Sequence, residues 1–269
     1  MTSDVVEVWL IRTDLPERIL ADLLGLLDDG ERERAATLMF PASRRQFIAA
    51  HGTFRVILGR RLGVPPASLR WQLGPHGKPE LAGPGPRVSF SHSGHLAALA
   101  TASRRRVGVD VQQLQANLDV TRMAARFYPR QEAEFVASAA GSAGQVARFT
   151  RLWARKEACV KVAGGRLLPG LEQMIPRTGV VAGGQDGACL VRDVPAPRGY
   201  RAAVAAEGTR PYDVVRHRAR PLRRDAPRNE CPRRTPRNPR TARCPFCAIS
   251  SGLVCGAACP QPRLFRNVA

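Results

Sequence analysis

The sequence predicts an α+β protein built as two similar α/β halves packed side by side in a pseudo-twofold arrangement, followed by a disordered C-terminal tail. Three observations lead there. Helical periodicity is concentrated in an N-terminal leucine-striped region and again across residues 119–163, while short alternating apolar runs fall in groups between and after these helices. The segment LAALATASRRRVGVDV (96–111) echoes RAAVAAEGTRPYDVV (201–215) in apolar pattern, turn and late aspartate. The echo implies two halves meeting near residues 108–118, and we divide the chain into 1–108, 109–215 and a tail, 216–269.

Taken in order, residues 5–11 read as a strand. Asp14-Leu-Pro-Glu17 then reads as a helix start, with Asp14 as N-cap, Glu17 at the capping-box position and proline in the first turn. Leu20, Leu23, Leu24 and Leu27 give that helix its apolar stripe, and Gly30 is expected to stop it. Ser43-Arg-Arg-Gln46 resembles a second capping box, opening a helix through Phe47, Phe54, Ile57, Leu58 and Leu62 that ends at Gly63 before Pro65-Pro66. Residues 69–73 alternate, 74–77 turn, and 88–90 form another short strand. Residues 95–102 and 107–111 are expected to form a hairpin around the turn Ser103-Arg-Arg-Arg106. Helices follow near 119–128, 131–139 and 145–163, then strands at about 178–182, 188–194 and 199–206.

A chain of 269 residues with 44% hydrophobic content can bury a real core. No apolar run approaches the roughly 18 residues that span a bilayer, and the acidic start at Asp4 and Glu7 does not resemble a signal peptide. A cytoplasmic protein with no membrane partner is the expectation. The formal charge of +20 could suggest nucleic acid. More than half of that excess, however, sits in residues 216–269, where 13 arginines stand against Asp225 and Glu230. The same stretch holds five of the seven cysteines and no helical or strand period. Cys244, Cys247, Cys255 and Cys259 could ligate zinc, although the spacing between the pairs is short for a ribbon. The alternative function is therefore a basic nucleic-acid-binding or zinc-dependent regulator acting through the tail. The moderately basic body suits an anionic substrate or partner at least as well.

Three places carry chemistry. In VGVDVQQL, strand alternation puts Asp110 and Gln112 on one face and Val109 and Val111 on the other. In WARKEACVKVAGGRL, Trp153, Glu157 and Lys161 share a helical face, in a chain whose only lysines are Lys78, Lys156 and Lys161. Glu157 and Asp110 together would make a seat for a hard cation such as Mg²⁺, with Lys161 free to meet a phosphate. In FSHSGH, Ser91, His92 and Ser93 are expected where a loop leaves the sheet, as a phosphate cradle. Without a G-x-S-x-G elbow, a Ser–His hydrolase is disfavoured.

In order, GPHGKPEL, FSHSGHLAALA, VGVDVQQL, FYPRQEAEF and LWARKEACVKVAGGRL resemble the 4′-phosphopantetheinyl transferase superfamily, in particular its surfactin-type, two-half, monomeric members. The resemblance covers about residues 74–167 strongly and extends to roughly 206–215. It implies transfer of the 4′-phosphopantetheine arm of coenzyme A to a serine of an apo acyl or peptidyl carrier protein, dependent on Mg²⁺ and releasing 3′,5′-adenosine bisphosphate. It further implies that Asp110, Gln112 and Glu157 form the metal seat, Gln112 standing where many members have glutamate. Glu157, Lys161 and Glu132 would be catalytic, and Arg34, Arg45, Lys78, Ser91, His92 and Lys161 would bind coenzyme A, with Arg55 in the helix near the nucleotide end. Nucleic acid is not an expected partner on this reading.

Overall fold

The computed structural model describes residues 4–74, 77–164, 170–182 and 187–218. The tail beyond Arg218, with its cysteine pairs, lies outside the described residues, and so does the expectation made for it.

Strand β1 (Val5–Arg12) leads into helix α1 (Glu17–Leu24). Asp14 does not cap that helix. It accepts a hydrogen bond from Arg12 Nε at 2.9 Å, and Pro16 holds the N-cap position without a side-chain bond. Nor does the helix run to Gly30. It ends at Gly25, and a second helix, α2 (Asp29–Thr37), begins behind a true capping box in which Asp28 and Glu31 exchange side-chain and backbone bonds. Gly30 sits inside α2. The long α3 (Pro41–Leu62) starts with proline in its first turn, so Ser43 is interior rather than a cap, and it closes as expected on Gly63 in the left-handed region at φ 68°.

A short 3-10 turn at Pro66–Ser68 precedes a small hairpin of β2 (Trp71–Leu73) and β3 (Pro79–Leu81). Next come β4 (Arg87–Ser93), β5 (Leu96–Ala102) and β6 (Val107–Gln113). Helices α4 (Val120–Phe127), α5 (Arg130–Ala137) and α6 (Gly141–Ala163) follow, then β7 (Val180–Val181), β8 (Cys189–Val194), β9 (Tyr200–Glu207) and β10 (Asp213–Arg218).

The strands form two four-stranded sheets, in the orders β10-β1-β5-β4 and β6-β9-β8-β7. The expected β5–β6 hairpin is therefore absent. β5 pairs with β1 and β4, whereas β6 pairs antiparallel with β9, so the chain changes sheets across the turn at 103–106. Arg105 holds that crossing from within, donating to the carbonyls of Arg210 at 3.0 Å and Gly208 at 3.3 Å. The return crossing is β10, a strand the alternation of residues 199–206 does not announce. It runs parallel to β1 with Val6 opposite Val214.

Alternation explains the layers. In β5, Leu96, Ala98, Ala100 and Ala102 face the second sheet, where they meet Val107, Val109 and Val111 of β6 and Ala202, Val204 and Ala206 of β9. Ala97 and Leu99 point the other way, onto Ala50, Phe54, Ile57 and Leu58 of α3. Ala203 and Ala205 of β9 likewise turn away from the sheet interface, onto Phe149, Ala154 and Ala158 of α6. The order is α3, sheet, sheet, α6. Central strands buried on both faces need apolar side chains at every position, and alanine lets the layers approach closely.

Candidate active site

Gly108 determines how the site is put together. A Cβ at this position would overlap the carbonyl oxygen of Ala158, and Val162 N lies only 2.8 Å from where it would stand. The backbone of α6 thus rests directly on β6, as a strand glycine permits. Two residues on from Gly108 is Asp110, and flanking Ala158 on α6 are Glu157 and Lys161. The close approach brings residues far apart in sequence to one place.

Asp110 is 1% exposed and heavily hydrogen-bonded. Its Oδ1 accepts from Lys161 Nζ at 2.7 Å and from Ser91 Oγ at 2.7 Å, and its Oδ2 accepts from Gln112 Nε2 at 3.1 Å. Lys161 also donates to the Val109 carbonyl at 3.2 Å. Glu157 is half-buried beside them. Burial pushes its carboxyl pKa up, the Lys161 ammonium opposes this, the Asp110 charge adds to the rise, and a hydrogen bond from Trp153 opposes it again. The tryptophan one turn before Glu157 thus lies against the carboxylate, as the helical spacing suggested.

These groups border a cleft of about 540 Å³ whose walls include His51, Lys78, Phe90, His92, Gln112, Glu157 and Lys161. Lys78 donates to the Val107 carbonyl at 2.9 Å, and burial draws its pKa down to about 8, with Glu80 opposing and Arg106, Arg87 and Lys161 adding to the fall. His92 keeps a solvent-facing edge. Its pKa is lowered first by the partial loss of hydration against the cleft walls, then by the charges of His51 and Lys161, with Asp110 opposing. The cleft therefore sets two carboxylates against a lining of cationic and imidazole groups.

The donor set suits a hard cation. Two carboxylates and an amide oxygen are the ligand types Mg²⁺ accepts, and it commonly takes only one or two carboxylates from the protein. Among the described residues no group of three or more His, Cys, Asp and Glu side chains is placed to hold a metal ion, and at this cleft two carboxylates are the charge on offer. Gln112 is oriented with its amide nitrogen toward Asp110, while its Oε1 accepts from Ser93 Oγ at 3.4 Å.

Other expected residues lie elsewhere. Ser91, His92 and Ser93 belong to β4 itself, not to a loop leaving it. Glu132 is buried on α5, 2.6 Å from the fully buried Lys156, and accepts from the Ile175 backbone at 2.8 Å. Lys156 thus serves the packing of α5 and α6, with its ammonium 4.9 Å over the Tyr128 ring, and neither residue lines the cleft. Arg34 is exposed in the last turn of α2. Arg45 is bound to Glu17 and to the Leu15 carbonyl at 3.2 Å. Arg55 is fully buried, with Nε on Glu31 at 2.5 Å, Nη2 on Asp28, and Nη1 on the carbonyls of Pro66 and Leu69 at 3.1 Å each. Its donors are turned inward.

The sequence reading gave His51 no role, yet it lines the cleft. Its Nδ1 lies 3.0 Å from Glu31 Oε1, and its ring stacks on Phe47 at 3.9 Å. The i, i+4 spacing of Phe47 and His51 was visible in the sequence, but the Glu31 partner, on another helix, was not.

Comparison with known proteins bears on this arrangement. The 4′-phosphopantetheinyl transferase superfamily model matches residues 106–184, a span containing Asp110, Glu132, Glu157 and Lys161. The 4′-phosphopantetheinyl transferase HetI of Nostoc sp. is 37% identical over 168 residues, which cover 61% of this chain and 70% of that protein. A phosphopantetheinyl transferase of Thraustochytrium sp. is 29% identical over 175 residues, 59% of this chain and 61% of that protein. The L-aminoadipate-semialdehyde dehydrogenase-phosphopantetheinyl transferase of Homo sapiens is 28% identical over 145 residues, 50% of this chain and 47% of that protein.

Proposed function

Because the chain belongs to the 4′-phosphopantetheinyl transferase superfamily and is an enzyme of that type, we propose that it transfers the phosphopantetheine arm of coenzyme A to a serine of an apo acyl or peptidyl carrier protein, with Mg²⁺, releasing 3′,5′-adenosine bisphosphate. One observation carries this reading. Asp110, Glu157 and Lys161 converge beside a cleft of about 540 Å³ lined also by Lys78 and by the imidazoles of His51 and His92.

In the proposed reaction the serine oxygen attacks the pyrophosphate phosphorus on the pantetheine side. An O–P bond forms to serine, the bridging P–O bond breaks, and the adenosine bisphosphate leaves. Asp110 and Glu157 would hold Mg²⁺, which supplies neutralisation of pyrophosphate charge. Lys161 stands 2.7 Å from Asp110 and can turn its ammonium toward a phosphate oxygen. Glu157, its basicity raised by burial, takes the serine proton directly or through a water. Lys78 supplies positive charge to the rest of the anionic substrate, and the His92 imidazole a hydrogen bond.

The two-half architecture belongs to the same proposal, with halves of 1–108 and 109–215. Its support is a recurring order. The elements β1, α3, β4 and β5 match β6, α6, β8 and β9, and the sheet orders β1-β5-β4 and β6-β9-β8 correspond. Both long helices end on a left-handed glycine, Gly63 and Gly164. We place the reaction in the cytoplasm and in a monomer.

The test is to incubate the protein with coenzyme A, Mg²⁺ and a panel of apo carrier proteins and to weigh the carriers. One carrier should gain the mass of a single phosphopantetheine arm. Asp110→Asn and Glu157→Gln should each reduce that transfer by at least about 100-fold, since each removes one of the two carboxylates that would seat the metal. A panel left unmodified, or full turnover in either variant, contradicts the reading.

A further inference from the structure

Strands β4 and β6 lie side by side at the edges of different sheets, and neither is the other's backbone partner. What joins them is a row of serine hydroxyls. Ser89, Ser91 and Ser93 share one face of β4 by strand alternation. The N–H groups of Val109, Val111 and Gln113 donate to their Oγ atoms at 3.0, 3.3 and 3.1 Å. Each hydroxyl takes the place a carbonyl would hold in an ordinary ladder, and each rung joins residues 20 apart.

A serine hydroxyl has one proton to give. Ser91, largely buried in the cleft wall, gives its proton to Asp110 Oδ1 at 2.7 Å, on the same oxygen that Lys161 holds. Its oxygen is occupied by the Val111 N–H. The resemblance assigns Ser91 to coenzyme A, but that proton is already committed.

We propose that Ser91 is a positioning residue: through the hydroxyl ladder it fixes the Asp110 carboxylate for the cation, and it does not itself bind the substrate phosphates. The ladder couples the two sheets to the site, because the same atom that sets the β4–β6 spacing orients Asp110. Partners of this kind, when removed from a ligating carboxylate, typically cost 10–100-fold in metal affinity or activity. The inference rests on the Mg²⁺ reading above.

The experiment is a calorimetric titration of the full chain with Mg²⁺, and with Mn²⁺ as a tighter-binding probe, in the absence of coenzyme A. It is followed by the KM for coenzyme A at saturating Mg²⁺. Ser91→Ala should weaken metal binding about 10-fold and leave that KM within a factor of about 2. Ser91→Thr, which keeps the hydroxyl, should recover most of the affinity. Ser89→Ala is the control for mere loss of a rung: its Oγ accepts from Val109 without reaching Asp110, so it should lower the melting temperature without the metal defect. Unchanged metal binding in a folded Ser91→Ala with a raised KM overturns the proposal in favour of a phosphate contact. An equal metal defect in Ser89→Ala, or failure of Ser91→Thr to recover affinity, overturns it in favour of general disruption. No metal binding by the wild type overturns the Mg²⁺ reading, and this inference with it.

Discussion

Asp110, Glu157 and Arg55 show how differently three charged side chains can be accommodated. Arg55 lies in the N-terminal core with every donor group engaged, and its charge is balanced by Glu31 and Asp28, so it is integral to the packing of α2 on α3. A charge buried in this way is costly to leave unpaired, by about 3–5 kcal/mol when one partner is removed. Asp110 is also buried, but its partners converge from β4, β6 and α6, and removing its carboxylate would strand the Lys161 ammonium. Removing the Asp110 carboxylate should therefore lower the stability of the fold as well as disrupt the metal seat. Glu157 is the reverse case. Its carboxyl pKa is raised, so the folded chain binds the proton more readily than the unfolded chain, and its ionised form costs stability. That cost is fully present above the raised pKa and disappears as pH falls through the window down to the ordinary carboxyl value. Glu157→Gln should therefore raise the melting temperature of the metal-free protein at neutral pH while abolishing transfer, and the gain should shrink as the buffer is made acidic. Thermal scans from pH 8 to about pH 4 test this, and an equal or lower melting temperature at neutral pH refutes it.

At the level of elements, the contact that matters most is β6 against α6. Gly108 allows it, since the atoms a side chain would meet are backbone and cannot swing aside. Gly108→Ala should cost about 3 kcal/mol or more, at the upper end of overpacking effects. It should also weaken Mg²⁺ binding by moving Glu157 and Lys161 away from Asp110. Urea denaturation measures the first effect and metal titration the second, and stability within 1 kcal/mol of wild type would show that α6 does not rest on this glycine. The Glu132–Lys156 pair acts in the same packing layer. Lys156 is fully buried one residue before Glu157, and its ammonium pairs with Glu132, so it fixes the helix whose other face carries Glu157 and Lys161. Adjacent residues on a helix point about 100° apart, which lets one stretch serve core and cleft together. Retention of lysine across WARKEACVK thus has two causes, a buried pair at Lys156 and a cleft ammonium at Lys161.

Across the whole molecule, the first sheet is completed by a strand delivered from the end of the second half. β10 is the edge that closes the first sheet, with Val214 packed on the core between the sheets. A chain ending at Arg218 should retain stability and transfer activity, because β10 is intact and the cleft residues all precede it. A chain ending at Tyr212 should lose about 2 kcal/mol or more, because the packing of Val214 is removed and apolar surface on β1 is exposed. Comparing both truncations with the full chain in the mass assay and by thermal unfolding tests the assignment. Loss of transfer in the longer truncation, together with salt-sensitive nucleic-acid binding in the full chain alone, would favour a regulator acting through the tail.

By itself the sequence determined the mixed class, most element positions and the superfamily. Apolar alternation set Asp110 and Gln112 on one face of β6, helical spacing aligned Trp153, Glu157 and Lys161, and a motif order unlike any local pattern pointed to the transferase superfamily. Local signals were weaker where two neighbours competed. Asp14 resembled a cap but found Arg12, while Asp28 with Glu31 capped the next helix. Tertiary structure alone decided the rest. Whether the turn at 103–106 folds back or crosses to another sheet depends on packing between layers, which no local pattern encodes. The same holds for Ser91 under Asp110, for Glu31 behind His51, and for Glu132 on Lys156. Each joins residues from different elements at contact distance, and such pairings are fixed by how buried surfaces and charges are satisfied together, not by the order of residues along the chain.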